Sequence, residues 1–227
     1  MNVEGQHGDY VLALEGSKDS YLESYVVTIG NSADRMILTP LGKEAILRDP
    51  QLLAMGFIEY PGREYLIWDS WIAGWMRPGL RSQIFKNRTP QGVFDFIGHE
   101  IAIKQPLDTP EGRDSTAIEQ LTALEALRLV GFSVLPALFA TERTNRLVSL
   151  WCKGRHPDAT MQAQLDRYLS ELNQSIDGLI QEGGWNSDWG HVDRQPRNYL
   201  VSDIESLDNR QHFTILDPIS RRSFIIW

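Results

Sequence analysis

One stretch in the C-terminal half constrains this chain more than any other. Met161, Leu165, Tyr168, Leu169, Leu172, Ile176, Leu179 and Ile180 recur at spacings that keep them on one side of a long amphipathic helix. Asp158 stands where the N-cap of that helix belongs, and Gly183-Gly184 stops it. A stripe of that length must be buried against other elements. Residues 199–201, 213–216 and 224–227 follow it, each an apolar run short enough for a strand.

Upstream the signals are shorter. Residues 1–20 are polar and contain glycine, so they are expected to be loosely held. Residues 25–29 read as a strand and 40–47 as a short helix that closes before Pro50. Residues 56–68 place apolar and aromatic runs on either side of Pro61-Gly62, the pattern of a hairpin. From about residue 84 the character changes. Residues 84–88 and 93–96 read as strands flanking Thr89-Pro90-Gln91-Gly92, and residues 100–104 alternate with period two. A loop over 105–114 leads to a helix from Ser115 carrying Ile118, Leu121, Leu124, Leu127 and Leu129 and ending at Gly131. Residues 133–140 and 146–151 are strand-like. The expected plan is α+β, with an N-terminal extension (1–83), a first lobe (84–151) and a reduced second lobe (152–227) joined near residues 151–154.

The formal net charge of -8 argues against nucleic acid as a main partner, because phosphate backbones are gripped by clustered Lys and Arg. An acidic surface suits a basic or neutral protein partner. The single cysteine, Cys152, has no internal disulfide partner and sits in an apolar run, as a buried structural thiol does. No Cys/His cluster has zinc spacing. The first residues lack the basic and apolar regions of a secretory signal, and no apolar run approaches the ~20 residues needed to span a membrane. The expected location is the cytosol, or a host cell reached by export without a cleaved signal of that type.

Four segments carry polar residues suited to one chemistry. Phosphoryl transfer needs a cation on the phosphates, oxygen ligands on magnesium, and a carboxylate that orients the attacking hydroxyl. Lys104 ends residues 101–104; on a strand it shares a face with Ala102, whose small side chain admits a flat adenine ring. The plain alternative is a solvated lysine at a strand end. Glu119 and Glu125, on the helix that follows, are the acids available to hold Lys104, and Glu119 is favoured because it lies between Ile118 and Leu121. Residues 190–201 offer His191, Asp193 and Asn198 running into an apolar strand, so that Asp193 can face a substrate hydroxyl while Asn198 turns to a metal. Asp217 directly follows the apolar run 213–216, which suits a metal ligand or, equally, a turn-forming Asp-Pro pair.

In this order the segments resemble the protein-kinase-like superfamily from about residue 84 onward. Residues 101–104 look like its Val-Ala-Ile-Lys strand, and 147–154 like its fifth strand and hinge. His191-Val192-Asp193 with Asn198 looks like the catalytic loop, and Asp217 like the Asp of Asp-Phe-Gly. The resemblance implies ATP and Mg2+ as cofactors. It implies Lys104, Asp193 and Glu119 as catalytic residues, Gly92, Ala102, Lys104, Trp151 and Asn198 around the nucleotide, and Asn198 with Asp217 on the metal. The chain departs from the family pattern in three ways. Gly92 is the one glycine in residues 89–96, Pro218 replaces the Phe after the metal-binding Asp, and ten residues of this sequence follow Asp217. With that remainder no activation loop or peptide-binding helices are expected, which narrows the resemblance to very small kinases such as bacterial effectors that phosphorylate or bind host proteins. Asp193-Arg194-x-Pro196-x-Asn198 is also similar to the loop of lipid kinases and HipA-like toxin kinases, with Gln195 where their His would be.

The leading expectation is a Ser/Thr protein kinase acting on a protein substrate. The other readings are a kinase-like binding module without turnover, favoured by the sparse glycines, and a small-molecule or HipA-like kinase.

Overall fold

Alternating apolar residues call for strands, and in the computed structural model such segments pair into an antiparallel sheet. The structure describes residues 2–5, 8–19, 22–29, 31–48, 52–57, 82–88, 100–106, 116–150, 152, 154–192, 194–202 and 208–219. Within them the sheet strands are Asn2–Gly5 (β1), Gly8–Asp19 (β2), Leu22–Ile29 (β3), Ser32–Leu38 (β4), Ser82–Arg88 (β5), Glu100–Pro106 (β6), Ala137–Thr141 (β7) and Leu147–Leu150 (β8). Their order across the sheet is β1-β2-β3-β4-β7-β8-β6-β5. Tyr199–Val201 (β9) and Phe213–Ile215 (β10) form a separate antiparallel ribbon. The helices are Pro40–Arg48 (α1), Leu52–Phe57 (α2), Ala117–Leu129 (α3) and Gln162–Glu182 (α4). The fold is therefore α+β. The chain divides into two compact units, Met1–Leu121 with Pro136–Trp151, and Thr122–Leu135 with Cys152–Trp227.

In the first unit Val27, Met36, Leu38, Ile101, Ile103, Phe139, Val148 and Leu150 form a core that Ala45 and Ile46 of α1 and Leu52 and Leu53 of α2 complete. Thr39 begins α1: its Oγ1 accepts from Gly42 N at 3.0 Å and donates to the Ala137 carbonyl at 2.8 Å. Pro40 follows at the first helical position, where its missing N–H costs nothing. Gly42 lies so close to β7 that a Cβ there would fall 1.8 Å from the Leu138 carbonyl oxygen. Asp34, buried on β4, accepts from the backbone N–H groups of Arg143 (2.8 Å) and Thr144 (3.3 Å), fixing the turn between β7 and β8. From that turn Asn145, at φ 50°, accepts from Ala117 N at 2.7 Å and so anchors the start of α3.

The second unit is built on α4. Leu165, Tyr168, Leu169, Leu172 and Ile176 are buried along it, as their periodicity predicts, and they meet Phe132, Tyr199, Val201, Phe213 and Ile215. Tyr168 sits at the centre. Its ring makes edge contacts with Phe132, Tyr199 and Phe213 at 5.7, 6.1 and 5.1 Å, and its hydroxyl donates to the Phe213 carbonyl at 3.1 Å. Asp158 caps a single 3-10 turn, Ala159–Met161, that leads into α4, its Oδ1 accepting from Thr160 N at 2.9 Å. Gly183, at φ 76°, ends the helix with its N–H on the Ile180 carbonyl.

Several expectations are corrected. Residues 1–20 contribute two strands, held by backbone ladders whose partners lie in β2 and β3 rather than by local composition. Gly56 and Phe57 end a helix instead of opening a hairpin: Leu52 and Leu53 are buried in the core, and Gly56 offers its carbonyl to Thr144 Oγ1 at 2.8 Å. Residues 133–140 are two pieces. Val134 makes a parallel bridge to Ile215, and the strand of the large sheet begins after Pro136, which has no N–H to donate. Leu129 is 48% exposed, off the buried stripe of α3. The expected strands over 93–96 and 224–227, most of the 56–68 hairpin and the helix start at Ser115 lie outside the described residues.

Candidate functional site

The ribbon of the second unit brings two oxygen-bearing side chains to one end. β9 and β10 pair with Tyr199 opposite Ile215. Asn198 is the residue before β9, and Leu216 and Asp217 follow β10, so antiparallel pairing sets Asn198 opposite Leu216, with Asp217 one residue beyond. Leu216 N donates to the Asn198 carbonyl at 2.9 Å, extending the ladder one rung beyond the strands. Asn198 closes the 3-10 turn Pro196–Asn198, its own N–H donating to the Gln195 carbonyl at 2.9 Å. Asp217 is partly buried, with Oδ1 out of reach of solvent, and Pro218 and Ile219 beyond it are buried.

An amide oxygen and a carboxylate at one ribbon end are hard donors. They fit a magnesium ion, which takes one or two protein oxygens and fills its octahedron with phosphate oxygens and water. Among the described residues, no group of three or more His, Cys, Asp or Glu side chains forms a metal site by itself.

The loop before Asn198 is braced from behind. Trp185 Nε1 donates to the Gly190 carbonyl at 3.1 Å, and the Trp185 and Trp189 rings meet edge-on at 5.2 Å. Gly190 adopts φ 67°, a conformation glycine tolerates best, and Val192 is buried. His191 Nε2 donates to Asp177 Oδ1 of α4 at 2.9 Å on the exposed surface. Asp193 itself lies outside the described residues.

Lys104 belongs to the first unit. It lies within β6, a strand paired on both sides, opposite Ile84 of β5 and Leu147 of β8, and is only 9% exposed. A solvated lysine at a strand end is therefore not what the fold contains. Ala102 lies two residues earlier in the same strand, opposite Lys86 and Ser149. Gly92 and Trp151 lie outside the described residues.

Glu119 caps its own helix, a role its position in the sequence also signals. Thr116 Oγ1 accepts from Glu119 N at 3.1 Å and Glu119 Oε2 accepts from Thr116 N at 2.7 Å, a reciprocal capping box at the start of α3. The spacing Thr116-x-x-Glu119 is its signal. Glu125, the other acid on α3, is nearly buried, and its Oε2 accepts from Arg128 Nε at 2.8 Å. Cys152 is half-buried, and burial pushes its thiol up to about 11, so little thiolate exists at neutral pH. The thiol behaves as a packed group, as its apolar surroundings suggest.

No protein-family model and no curated protein matches the chain. Among solved structures, a Rio2 kinase–ADP/Mg2+–phosphoaspartate complex from Chaetomium thermophilum is similar over 92% of this chain and 47% of that one, with 11% identity and a TM-score of 0.25. This chain thus spans about half the length of that structure, and a likeness so slight carries no argument. Among the described residues no helix is long and apolar enough to cross a membrane.

Proposed function

We propose that this chain is an ATP-dependent phosphotransferase acting on a protein hydroxyl, a minimal two-lobed kinase-like enzyme with an N-terminal extension over residues 1–83. The observation that supports the reading is the Asn198–Leu216 backbone bond, which pairs the main chain of Asn198 with the residue before Asp217 at one ribbon end. Two oxygen ligands in that chain order, after a long helix and a loop containing Asp193, are what magnesium-dependent phosphoryl transfer asks for.

In this reading Lys104 neutralises the α- and β-phosphates from its place inside a doubly paired strand. Glu119 is assigned to hold Lys104, with Glu125 the alternative acid on the same helix. Asp193 orients the attacking hydroxyl and accepts its proton. Asn198 and Asp217 hold Mg2+, while Ala102, Trp151 and Gly92 surround the nucleotide. Bound Mg-ATP supplies the transferable phosphoryl group and the metal's positive charge. Arg194 and Arg197, both exposed on the Asn198 loop, are the cations available to charge that develops in the transition state. The setting we assign is the cytosol, or a host cell reached by export without a cleaved signal, as for a bacterial effector. A module that binds nucleotide without turnover is the second reading, favoured by the single glycine in residues 89–96.

Thermal melting with ATP and Mg2+, followed by transfer from labelled ATP in a cell extract, tests the proposal. A nucleotide present at ~100 times its dissociation constant adds about 2.7 kcal/mol of stability and raises the midpoint visibly. Asp217→Ala is expected to abolish transfer, and Asp193→Ala to lower it by several orders of magnitude. Near-normal turnover in both variants would overturn the assignment. Binding without transfer in the wild type would leave the binding module.

A further inference from the structure

Residues 154–156 run beside β9 as an irregular third strip. Val201 N–H donates to the Arg155 carbonyl at 2.8 Å, and a Cβ placed on Gly154 would sit 3.3 Å from Leu200 Cβ. From this strip half-buried His156 reaches the Tyr199 carbonyl, with Nδ1 and oxygen 2.8 Å apart. A carbonyl only accepts, so Nδ1 carries the proton. Burial lowers the imidazole pKa, opposed chiefly by the backbone hydrogen bond to Tyr199. His156 therefore meets the backbone at the residue after Asn198.

The main chain of Asn198 is held at each end. Its N–H is on the Gln195 carbonyl, its carbonyl accepts from Leu216 N, and the next carbonyl, Tyr199, is the one His156 engages. Tyr199 is fully buried with the imidazole in place, so its carbonyl depends on protein donors.

We propose that His156 is the positioning residue of the Asn198 loop: by holding the backbone at Tyr199 it sets the direction in which the Asn198 amide faces the cation shared with Asp217. This rests on the phosphotransferase reading of the same ribbon end. The imidazole contributes no ligand and transfers no proton; it acts through the main chain of Asn198. Groups that orient a metal ligand from behind commonly govern affinity about as strongly as a weak ligand does.

The test compares wild type with His156→Leu and with His156→Asn, whose amide nitrogen falls where Nδ1 was. Two quantities are read: hydrogen exchange of the Asn198 and Leu216 amides by NMR, and Mn2+ affinity by EPR in the presence of a non-hydrolysable ATP analogue. In His156→Leu, exchange at Asn198 and Leu216 is expected to rise about tenfold or more while Leu172 and Ile176 of α4 keep their protection, and Mn2+ affinity is expected to fall about tenfold. His156→Asn is expected to restore both to within a few fold of wild type. Unchanged exchange at Asn198 and Leu216, an equal rise along α4, or an Asn variant no better than the Leu variant would each overturn the proposal. Should His156→Leu fail to fold, His156→Gln, whose amide falls at the Nε2 position, takes its place. If the wild type binds no Mn2+ with the nucleotide, the phosphotransferase reading fails, and the exchange measurement still decides whether His156 orders Asn198.

Discussion

The Leu216 amide donates to the Asn198 carbonyl at 2.9 Å, one rung beyond the register in which Tyr199 faces Ile215. That bond makes two residues far apart in sequence behave as one unit. If Asn198 and Asp217 share a single cation, their removals are not additive. Asn198→Ala and Asp217→Ala each lower Mg2+-dependent nucleotide affinity, and the double variant is expected to lose no more than Asp217→Ala alone. A double-mutant cycle on Mg2+ titrations measures this, and strict additivity would separate the two residues functionally.

Lys104 invites a charge test because its surroundings are set by strands on both sides. Lys104→Met keeps the apolar stem and removes the ammonium; nucleotide affinity of the folded protein is expected to fall about tenfold or more, the scale on which a charged hydrogen bond acts. Lys104→Arg is not expected to rescue it, because a planar fork does not occupy the place of a compact ammonium. Calorimetric titration with Mg-ATP reads both.

Two glycines on helices make opposite predictions. At Gly42 a methyl group would collide with the Leu138 backbone at 1.8 Å, so Gly42→Ala must push α1 off β7 and is expected to cost roughly 3 kcal/mol or more. At Gly178, inside α4 about one turn before its end, nothing lies within 4 Å of the added atom. There Gly178→Ala removes only the entropic cost of glycine in a helix, a gain of about 0.5–1 kcal/mol. Urea unfolding of the two variants gives both signs.

Tyr168 links α4 to the ribbon through a buried hydroxyl on the Phe213 carbonyl. Tyr168→Phe keeps the edge contacts and deletes that bond, with an expected loss of about 1–3 kcal/mol. Tyr168→Ala also empties the space among Phe132, Tyr199 and Phe213, and the loss rises to roughly 3–5 kcal/mol or beyond. Denaturant midpoints distinguish the two.

Glu171 and Arg210 predict a pH effect. Arg210 Nε donates to Glu171 Oε1 at 2.7 Å, and its NH1 donates to the Val130 carbonyl at 2.7 Å. Hydrogen bonds from Arg210 and then Asn209 hold the Glu171 carboxyl below the usual range. Because the folded value lies below the unfolded one, the stabilisation is present above the unfolded value and is lost as pH falls through the folded one. Arg210→Met is expected to lower stability at pH 7 and to flatten the decline below about pH 4, where Glu171 would otherwise protonate. Both side chains are about a third exposed, which keeps the effect small. Urea midpoints at the two pH values measure it.

Local periodicity determined α4 outright. Apolar residues at helical spacing, an Asp before them and a glycine pair after them act within a few residues of one another, so the stripe, the capping turn and the stop at Gly183 could be read from sequence. The short apolar runs at β9 and β10 were legible for the same reason, and with them the order of Asn198 and Asp217. Tertiary structure decided what depends on partners far along the chain. Residues 2–5 and 8–19 become strands because β1 meets β2 and β2 meets β3, and Gly56 ends a helix because Thr144 and Phe139 lie beside it. Lys104 is enclosed because β5 and β8 close on both sides of β6, and Leu129 is exposed because the buried side of α3 does not include it. The pairing of Asn198 with Leu216, the residue before Asp217, belongs to this second kind. Their spacing in sequence carries no geometry; the antiparallel register of two three-residue strands does, because a backbone ladder fixes which residues face each other only once both strands are present.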